Sequence, residues 1–320
     1  MEESLIPRID PANLVESFFA GRNPRTLKAY NQAIRNFGQF AGVRSPSDLA
    51  KKLFGSGPGA ANHLVIEYRN RLREMGKTPA TINQHLAAIR SFVKFAKTLG
   101  MIPWDLTVRG EKQETYRDTK GPGVEGFKRI LAEAVKQGGK KAIRDKAMLR
   151  VMWDLGLRNG EMTGLDVPDI DFNNDVIWIL GKGRKQKEKL TLPPETKDVL
   201  REWIGDRRTG AVFTNLDHRY QNGNHNGSKR LTGTGVWKIV TKLGKRCGVV
   251  ARPHGVRHAA ITFALDKTKG DVRAVRKFSR HKNIQTLMVY DDSREDMGGQ
   301  IARKISEKTA ERGLFNGIPG

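Results

Sequence analysis

The chain has 320 residues, with 58 Lys and Arg against 34 Asp and Glu and a net charge of +24. Its length points to two domains, since a single core rarely grows beyond about 250–300 residues, and its 38% hydrophobic content excludes a disordered tail. The positive excess points to a polyanion as partner, DNA or RNA, while no apolar run reaches the ~20 residues that span a bilayer and a single cysteine, Cys247, excludes an intrachain disulfide.

The opening MEESLIPRID is acidic and lacks a leader pattern. With the lone cysteine it predicts a cytoplasmic protein, nucleoid-associated in a prokaryote. The first third reads as helical. After Asn23-Pro24, Leu27, Tyr30, Ile34 and Phe37 fall at helical spacing in a run to Ala41. Ser47-Asp48 opens a short helix through Phe54, and GSGPGA at 55–60 reads as a break. A helix from Asn62 to Met75 follows, then one capped by Thr78-Pro79 and running to Leu99. In this last helix Ile82, Leu86, Ile89, Phe92, Val93 and Ala96 form an apolar stripe, with Arg90, Lys94 and Lys97 on another face. Those three are candidate DNA contacts. A solvated basic face is the ordinary alternative.

Residues 103–123 are polar and rich in breakers, and 109–123 is taken as a flexible linker between a helical domain at 1–108 and a second domain at 124–320. In the second domain, helices are expected over 124–137, 141–155, 194–205, 234–248, 254–268, 271–280 and 283–290, with one more from Met297 to Leu314. Val176–Leu180 and Lys189–Leu192 read as a strand pair joined by the basic turn GKGRKQKE. The acidic stretch 165–175 reads as a turn entering the sheet. The fold class is therefore mainly α with a small antiparallel β-sheet (α+β).

Metal-free phosphodiester transfer needs a nucleophile, cations to offset charge on the nonbridging oxygens, and an acid for the leaving oxygen. The second domain supplies each. Gly156-Leu157-Arg158-Asn159-Gly160-Glu161 places Arg158 beside a glycine break, three residues from Glu161. Gly181-Lys182-Gly183 puts a lysine on a tight turn, with Lys185 close behind as an alternative general acid or DNA contact. In Arg252-Pro253-His254-Gly255-Val256-Arg257-His258, His254 and Arg257 share one helix face, joining a forked cation to a group that titrates near neutrality. His258 reads as a structural residue that packs or hydrogen-bonds. Finally, His281 is followed nine residues on by Tyr290, whose phenol, with a pKa near ~10, needs neighbouring cations to act as a nucleophile. No tight metal-ligand spacing and no phosphate-cradling loop is present.

The order Arg158, Lys182, His254-x-x-Arg257, His281, Tyr290 resembles that of the tyrosine recombinase or phage integrase family, which includes the Xer and Cre recombinases. GLRNGE resembles its first arginine box, HGVRH its HxxRH box and HKNIQTLMVY its final histidine and tyrosine box. The resemblance implies an N-terminal helical core-binding domain and a C-terminal catalytic domain that clamp double-stranded DNA. It also implies site-specific recombination through a 3′-phosphotyrosyl link at Tyr290, with no cofactor and no metal. Arg158 and Arg257 then stabilise phosphorus, Lys182 is the general acid, His254 moves the tyrosine proton, His281 binds the phosphate and Glu161 supports the active-site arginine or histidine structurally. Partners so implied are a homo-tetramer on two DNA sites, exchanging a C-terminal helix near 300–312, and accessory DNA-bending proteins. The family carries glycine where Arg280 stands, and Arg280 is expected to alter the turn or add a phosphate contact. A type IB topoisomerase-like activity and a DNA-binding protein without catalysis are the competing readings.

Overall fold

A computed structural model of the chain describes residues 11–112, 121–181, 183–184, 186–216, 230–281, 283–285, 287–288 and 297–310. It divides into two compact units, Met1–Arg117 and Asp118–Gly320. Among the described residues the fold is helical, apart from one three-stranded antiparallel sheet, as the patterning predicts. No described helix is long and apolar enough to cross a membrane.

The first unit packs α1 (Pro11–Phe19), α2 (Pro24–Phe40), α3 (Pro46–Gly55), α4 (Gly57–Glu74) and α5 (Pro79–Thr98) around one core. Helix α5 is its axis. The stripe Ile82, Leu86, Ile89, Phe92, Val93 and Ala96 is buried along its whole length, because three- and four-residue spacing stacks these side chains on one face. Phe92 takes Phe18 edge-on at 5.2 Å and Phe54 at 5.4 Å between ring centres, geometries that suit aromatic quadrupoles. Thr78 caps α5 by accepting from the Thr81 amide at 3.3 Å, and Ser45 caps α3 from Asp48 at 3.0 Å.

Three features of this unit depart from the sequence reading. Helix α1 was not foreseen. It is short, and its Leu14, Val15 and Phe18 are buried by tertiary packing. The break expected over 55–60 shrinks to Ser56. Helix α4 begins on Gly57, whose φ of +77° turns the chain, and Pro58 sits in the first turn, where an absent N–H is harmless. Lastly, residues 109–112, expected in a flexible linker, lie on the bundle. Ile102 and Val108 are buried, Asn83 exchanges two hydrogen bonds with the Glu111 backbone at 2.9 and 2.8 Å, and Arg73 grips the Glu111 carboxylate through two bonds of 2.9 Å.

In the second unit α7 (Gly139–Asp154) is central. It packs on α6 (Gly123–Lys136), on the short α8 (Asn159–Thr163), on α9 (Pro194–Ile204) and on α11 (Pro253–Lys267). Met148, Leu149, Val151 and Met152 of α7 are fully buried. Strands β1 (Ile170–Asp171), β2 (Val176–Leu180) and β3 (Lys187–Thr191) pair in that order, with Ile170 opposite Ile177 and Ile177 opposite Leu190. Alternation along β2 sends Ile177 and Ile179 into the core and leaves Leu180 exposed. The turn of 171–174 is an Asx turn, in which Asp171 accepts from the amides of Asn173 and Asn174 at 2.9 and 3.0 Å. Helix α10 (Gly233–Arg246) adds Val236 and Val240 to the same core. Helix α12 (Val272–Ser279) packs on α11 through a small cluster of Ile261, Leu265 and Val275. The last described helix is α13 (Met297–Ala310).

Candidate active site

The C-terminal end of α7, the N-terminal ends of α8 and α11, and the C-terminal end of α12 meet at one place, and the candidate residues sit there. Helix α7 stops at Leu155, and Gly156 follows at φ +52°. Glycine is required here, since a Cβ would stand 3.1 Å from the Phe278 ring. Leu157 is fully buried and anchors the turn. Arg158 then takes an extended conformation as the N-cap of α8. Glu161, in the first turn of α8, reaches back to accept from the Arg158 amide at 2.9 Å and from Arg158 Nη1 at 2.6 Å. The i, i+3 pairing read from the sequence is thus real, and it buries the carboxylate at 2% side-chain exposure while Arg158 keeps 30%.

From α11 comes Arg257, 1% exposed. Its guanidinium donates through Nη1 to the Gly156 carbonyl and through Nη2 to the Ser279 carbonyl, and Nη1 lies 3.9 Å from Glu161 Oε2. His254, one turn earlier, is exposed, and its ring lies edge-on to His258 with centres 6.2 Å apart. His258 is buried and its pKa is pushed down to about 4, first by burial and then by the charges of His254 and Arg257. It is a neutral, enclosed group with a structural part.

The end of α12 supplies the rest. Arg280 occupies the left-handed region at φ 57° and ψ 36°, which costs an ordinary residue about 1–2 kcal/mol relative to glycine. The expected phosphate contact is not what its side chain makes. Arg280 is 7% exposed, and its guanidinium turns inward. Nη1 donates to the Leu155 and Phe278 carbonyls at 3.0 and 2.8 Å, and Nη2 to the Gly156 carbonyl at 3.0 Å and Glu161 Oε2 at 3.1 Å. The carbonyls that α7 leaves unpaired at its end account for this capture. The Arg280 backbone carbonyl in turn accepts from Arg158 Nη2 at 3.4 Å. His281 follows, with Nδ1 3.0 Å from Ser279 Oγ. Burial pushes its pKa down to about 4, helped by Arg257, Arg158, His254 and Arg280, so the ring is neutral near pH 7. Ser279, fully buried, was not singled out in the sequence. The only hint was a small polar residue two before the histidine.

Glu161 therefore hydrogen-bonds two guanidinium groups, those of Arg158 and Arg280, and lies 3.9 Å from a third, that of Arg257. Burial alone would raise its pKa, but Arg280 and then Arg158 outweigh it and keep the carboxyl below its usual range. Arg158, Glu161, Arg257, Arg280 and His281 are brought together, and His254 is near enough to act on the charge of His281. Lys182, Lys185 and Tyr290 lie outside the described residues. On α5, Arg90 donates to the Val108 carbonyl, Lys97 pairs with Asp105, and Lys94 is exposed. Two of the three candidate DNA contacts thus also hold the segment after α5 in place. Among the described residues no group of His, Cys, Asp and Glu side chains could hold a metal ion.

Such an arrangement, cations fixed by one buried carboxylate beside a neutral imidazole, can bind a tetrahedral anion and exchange protons with it. Known proteins agree in kind. The Phage integrase family matches residues 125–297. A tyrosine recombinase of Synechocystis sp., slr0733, is 37% identical over 294 residues, covering 89% of this chain and 92% of its own. XerD of Oceanobacillus iheyensis is 27% identical over 287 residues, covering 86% and 92%. Among solved structures, a lambda integrase (75–356) dimer bound to a COC′ core site superposes with a TM-score of 0.64 at 14% identity, covering 89% of this chain and 96% of its own. XerH bound to palindromic difH substrate superposes at 0.60 and 15%, covering 94% and 97%. At such identities the structures establish the fold, while the family match and the Synechocystis relative establish kinship: the chain belongs to the phage integrase family and is a tyrosine recombinase.

Proposed function

We propose that this enzyme recombines double-stranded DNA at specific sites, without metal or cofactor, through a covalent link to Tyr290. The observation that carries the reading is the cluster in which Glu161 holds Arg158 and, at 3.9 Å, Arg257 beside a neutral His281, nine residues before that tyrosine. The Tyr290 oxygen attacks the scissile phosphorus, forming the O–P bond as the bond to the 5′ oxygen breaks. His254 accepts the phenol proton, and Lys182 gives a proton to the departing 5′ oxygen. Arg158 and Arg257 offset charge on the nonbridging oxygens, and His281 hydrogen-bonds one of them. A 5′-hydroxyl of a partner duplex then reverses the step, so the phosphodiester bond energy is conserved. Lys94, Lys185 and the basic face of α5 contribute to backbone binding driven by counterion release.

Family resemblance carries the assembly: a tetramer on two DNA sites that exchanges its C-terminal helix, assisted by DNA-bending proteins. Ile301 and Ile305 support that role for α13, since they are one turn apart and 54% and 59% exposed. A library of nicked duplexes of randomised sequence tests the chemistry. The wild-type protein should form SDS-resistant adducts enriched in one sequence, and Tyr290→Phe should form none while still binding DNA. An adduct that persists in Tyr290→Phe would remove the tyrosine from its role. Capture without sequence preference, with relaxation of supercoils by a monomer, would favour the topoisomerase-like reading. Arg257→Ala should slow adduct formation by about 10²–10³, the usual loss on removing one oxyanion donor.

A further inference from the structure

Arg280 sits in a backbone conformation that glycine would occupy without strain, so its side chain has a reason to be there. Its guanidinium fills the space between the end of α7 and Glu161, donating to three carbonyls and to Oε2. Arg257 competes for the same two acceptors. Its Nη1 also donates to the Gly156 carbonyl and stands 3.9 Å from Glu161 Oε2, beyond a hydrogen bond. With Arg280 in place, Oε2 already has two donors, the Arg158 amide and Arg280 Nη2. Remove that second donor and the nearest buried cation to Oε2 is Arg257, which a short shift would bring into full contact. A buried carboxylate and guanidinium attract strongly at that range.

We propose that Arg280 is a positioning residue: by occupying Glu161 Oε2 and the Gly156 carbonyl, it keeps Arg257 from closing on Glu161 and so fixes the position at which that guanidinium meets the phosphate. Its role rests on the reading above, in which Arg257 meets the scissile phosphate. It also explains why a cation is buried in this turn. The cluster of three arginines and one glutamate carries a surplus of positive charge, and Arg280 adds to it from a place no substrate oxygen needs to reach. His281 feels the same charge.

The test uses the full-length protein and the DNA sequence recovered from the randomised library. Arg280→Gly suits the backbone and should fold, as melting will show. It should form the adduct about tenfold more slowly, or slower still, with DNA affinity little changed. Adding Glu161→Gln removes the captor and restores the net charge of the cluster, so the double variant should regain most of the lost rate. If Arg280 merely braces the fold, the second substitution will deepen the defect instead. If Arg280→Gly does not fold, Arg280→Lys, which keeps the charge but loses the two-pronged reach, carries the same comparison. An Arg280→Gly rate equal to wild type, or a double variant slower than the single, overturns the proposal. A wild-type protein that forms no adduct overturns the wider reading instead. Titration of His281 by NMR gives a readout that needs no DNA: losing the nearby cation should raise its pKa from about 4, and an unmoved value would count against Arg280 as part of the cluster.

Discussion

In the first unit, a polar pair enclosed by the core is Tyr68 and His85, joined by one hydrogen bond of 2.7 Å between Oη and Nδ1. Both stay neutral, since burial raises the phenol and lowers the imidazole. In the second unit the groups enclosed around Glu161 are charged, and three arginines crowd one carboxylate. A buried polar pair that only has to hold a bundle's shape can be satisfied cheaply. A site that must meet an anion keeps cations out of water in advance, held by an internal counter-charge and by helix-end carbonyls. The contrast separates residues that maintain a fold from residues that maintain a field.

Two truncations of similar size sharpen the contrast most. Phe92→Ala opens a cavity in the bundle and should destabilise it by about 3–5 kcal/mol. Glu161→Ala leaves its guanidinium groups without their counter-charge and should cost about the same, roughly 3–5 kcal/mol. The two losses should differ in kind. Millimolar sulfate or phosphate should return part of the stability lost in Glu161→Ala, because an anion can take the carboxylate's place, and should do nothing for Phe92→Ala. Below its melting temperature Phe92→Ala should form adduct at the wild-type rate. Melting curves with chloride and sulfate compared at equal ionic strength decide this. Equal anion responses would show that the Glu161 cluster is ordinary packing.

Acid provides the next largest difference. His258 and His281 have pKa values near 4 in the folded chain, against about 6.5 when unfolded. The fold favours their neutral forms, so the stability they provide is complete above pH 6.5 and is lost as pH falls from there toward 4. For His258, which is 3% exposed, the shift corresponds to at most about 3 kcal/mol. Glu161 acts in the same sense at lower pH: its depressed carboxyl loses its stabilising charge as pH drops through its folded value. Hydrogen exchange should therefore show the amides of α11 and α12, which answer to two such histidines, losing protection between pH 6.5 and 4 faster than those of α5, which carries one, His85. His258→Gln should flatten that slope. A uniform loss across both units would place the acid sensitivity elsewhere.

Much of the bundle and the order of the cluster were legible from the residues, for a physical reason: helical periodicity and the spacing of Arg158, Glu161, His254 and Arg257 are local, and local geometry follows from local sequence. Helix α1 was not legible, since nine residues are too few to hold a helix alone, whatever the start signal of Asp10-Pro11, and depend on burial of Phe18 against α5 for their structure. Residues 109–112 read as linker because polarity was taken for solvation, whereas Arg69, Arg73 and Asn83 were waiting to bind that backbone and the Glu111 carboxylate. Arg280 shows the limit most plainly. A cation beside a site histidine looks like a phosphate ligand, and only the positions of three carbonyls and Glu161, contributed by segments more than a hundred residues earlier as well as by its own turn, direct it inward.

Tyr68→Phe is the smallest of the tests and bears on whether the bundle's polar pair is as undemanding as the comparison holds. The substitution keeps the ring, and with it the contacts to Phe37 and Phe40 at 5.1 and 5.2 Å, so no cavity opens. What is lost is one hydrogen bond to a buried, neutral imidazole, whose Nδ1 then lacks its phenol partner. The net worth of such a bond is about 1 kcal/mol, rising toward about 3 if the stranded nitrogen finds no water. A melting shift in that range, with an unchanged rate of adduct formation at 25 °C, is the expected result. A larger loss, or a slower reaction from a residue in the other unit, would mean that Tyr68 and His85 help to shape the DNA-binding surface, and the division between fold-keeping and field-keeping residues would have to be redrawn through the bundle itself.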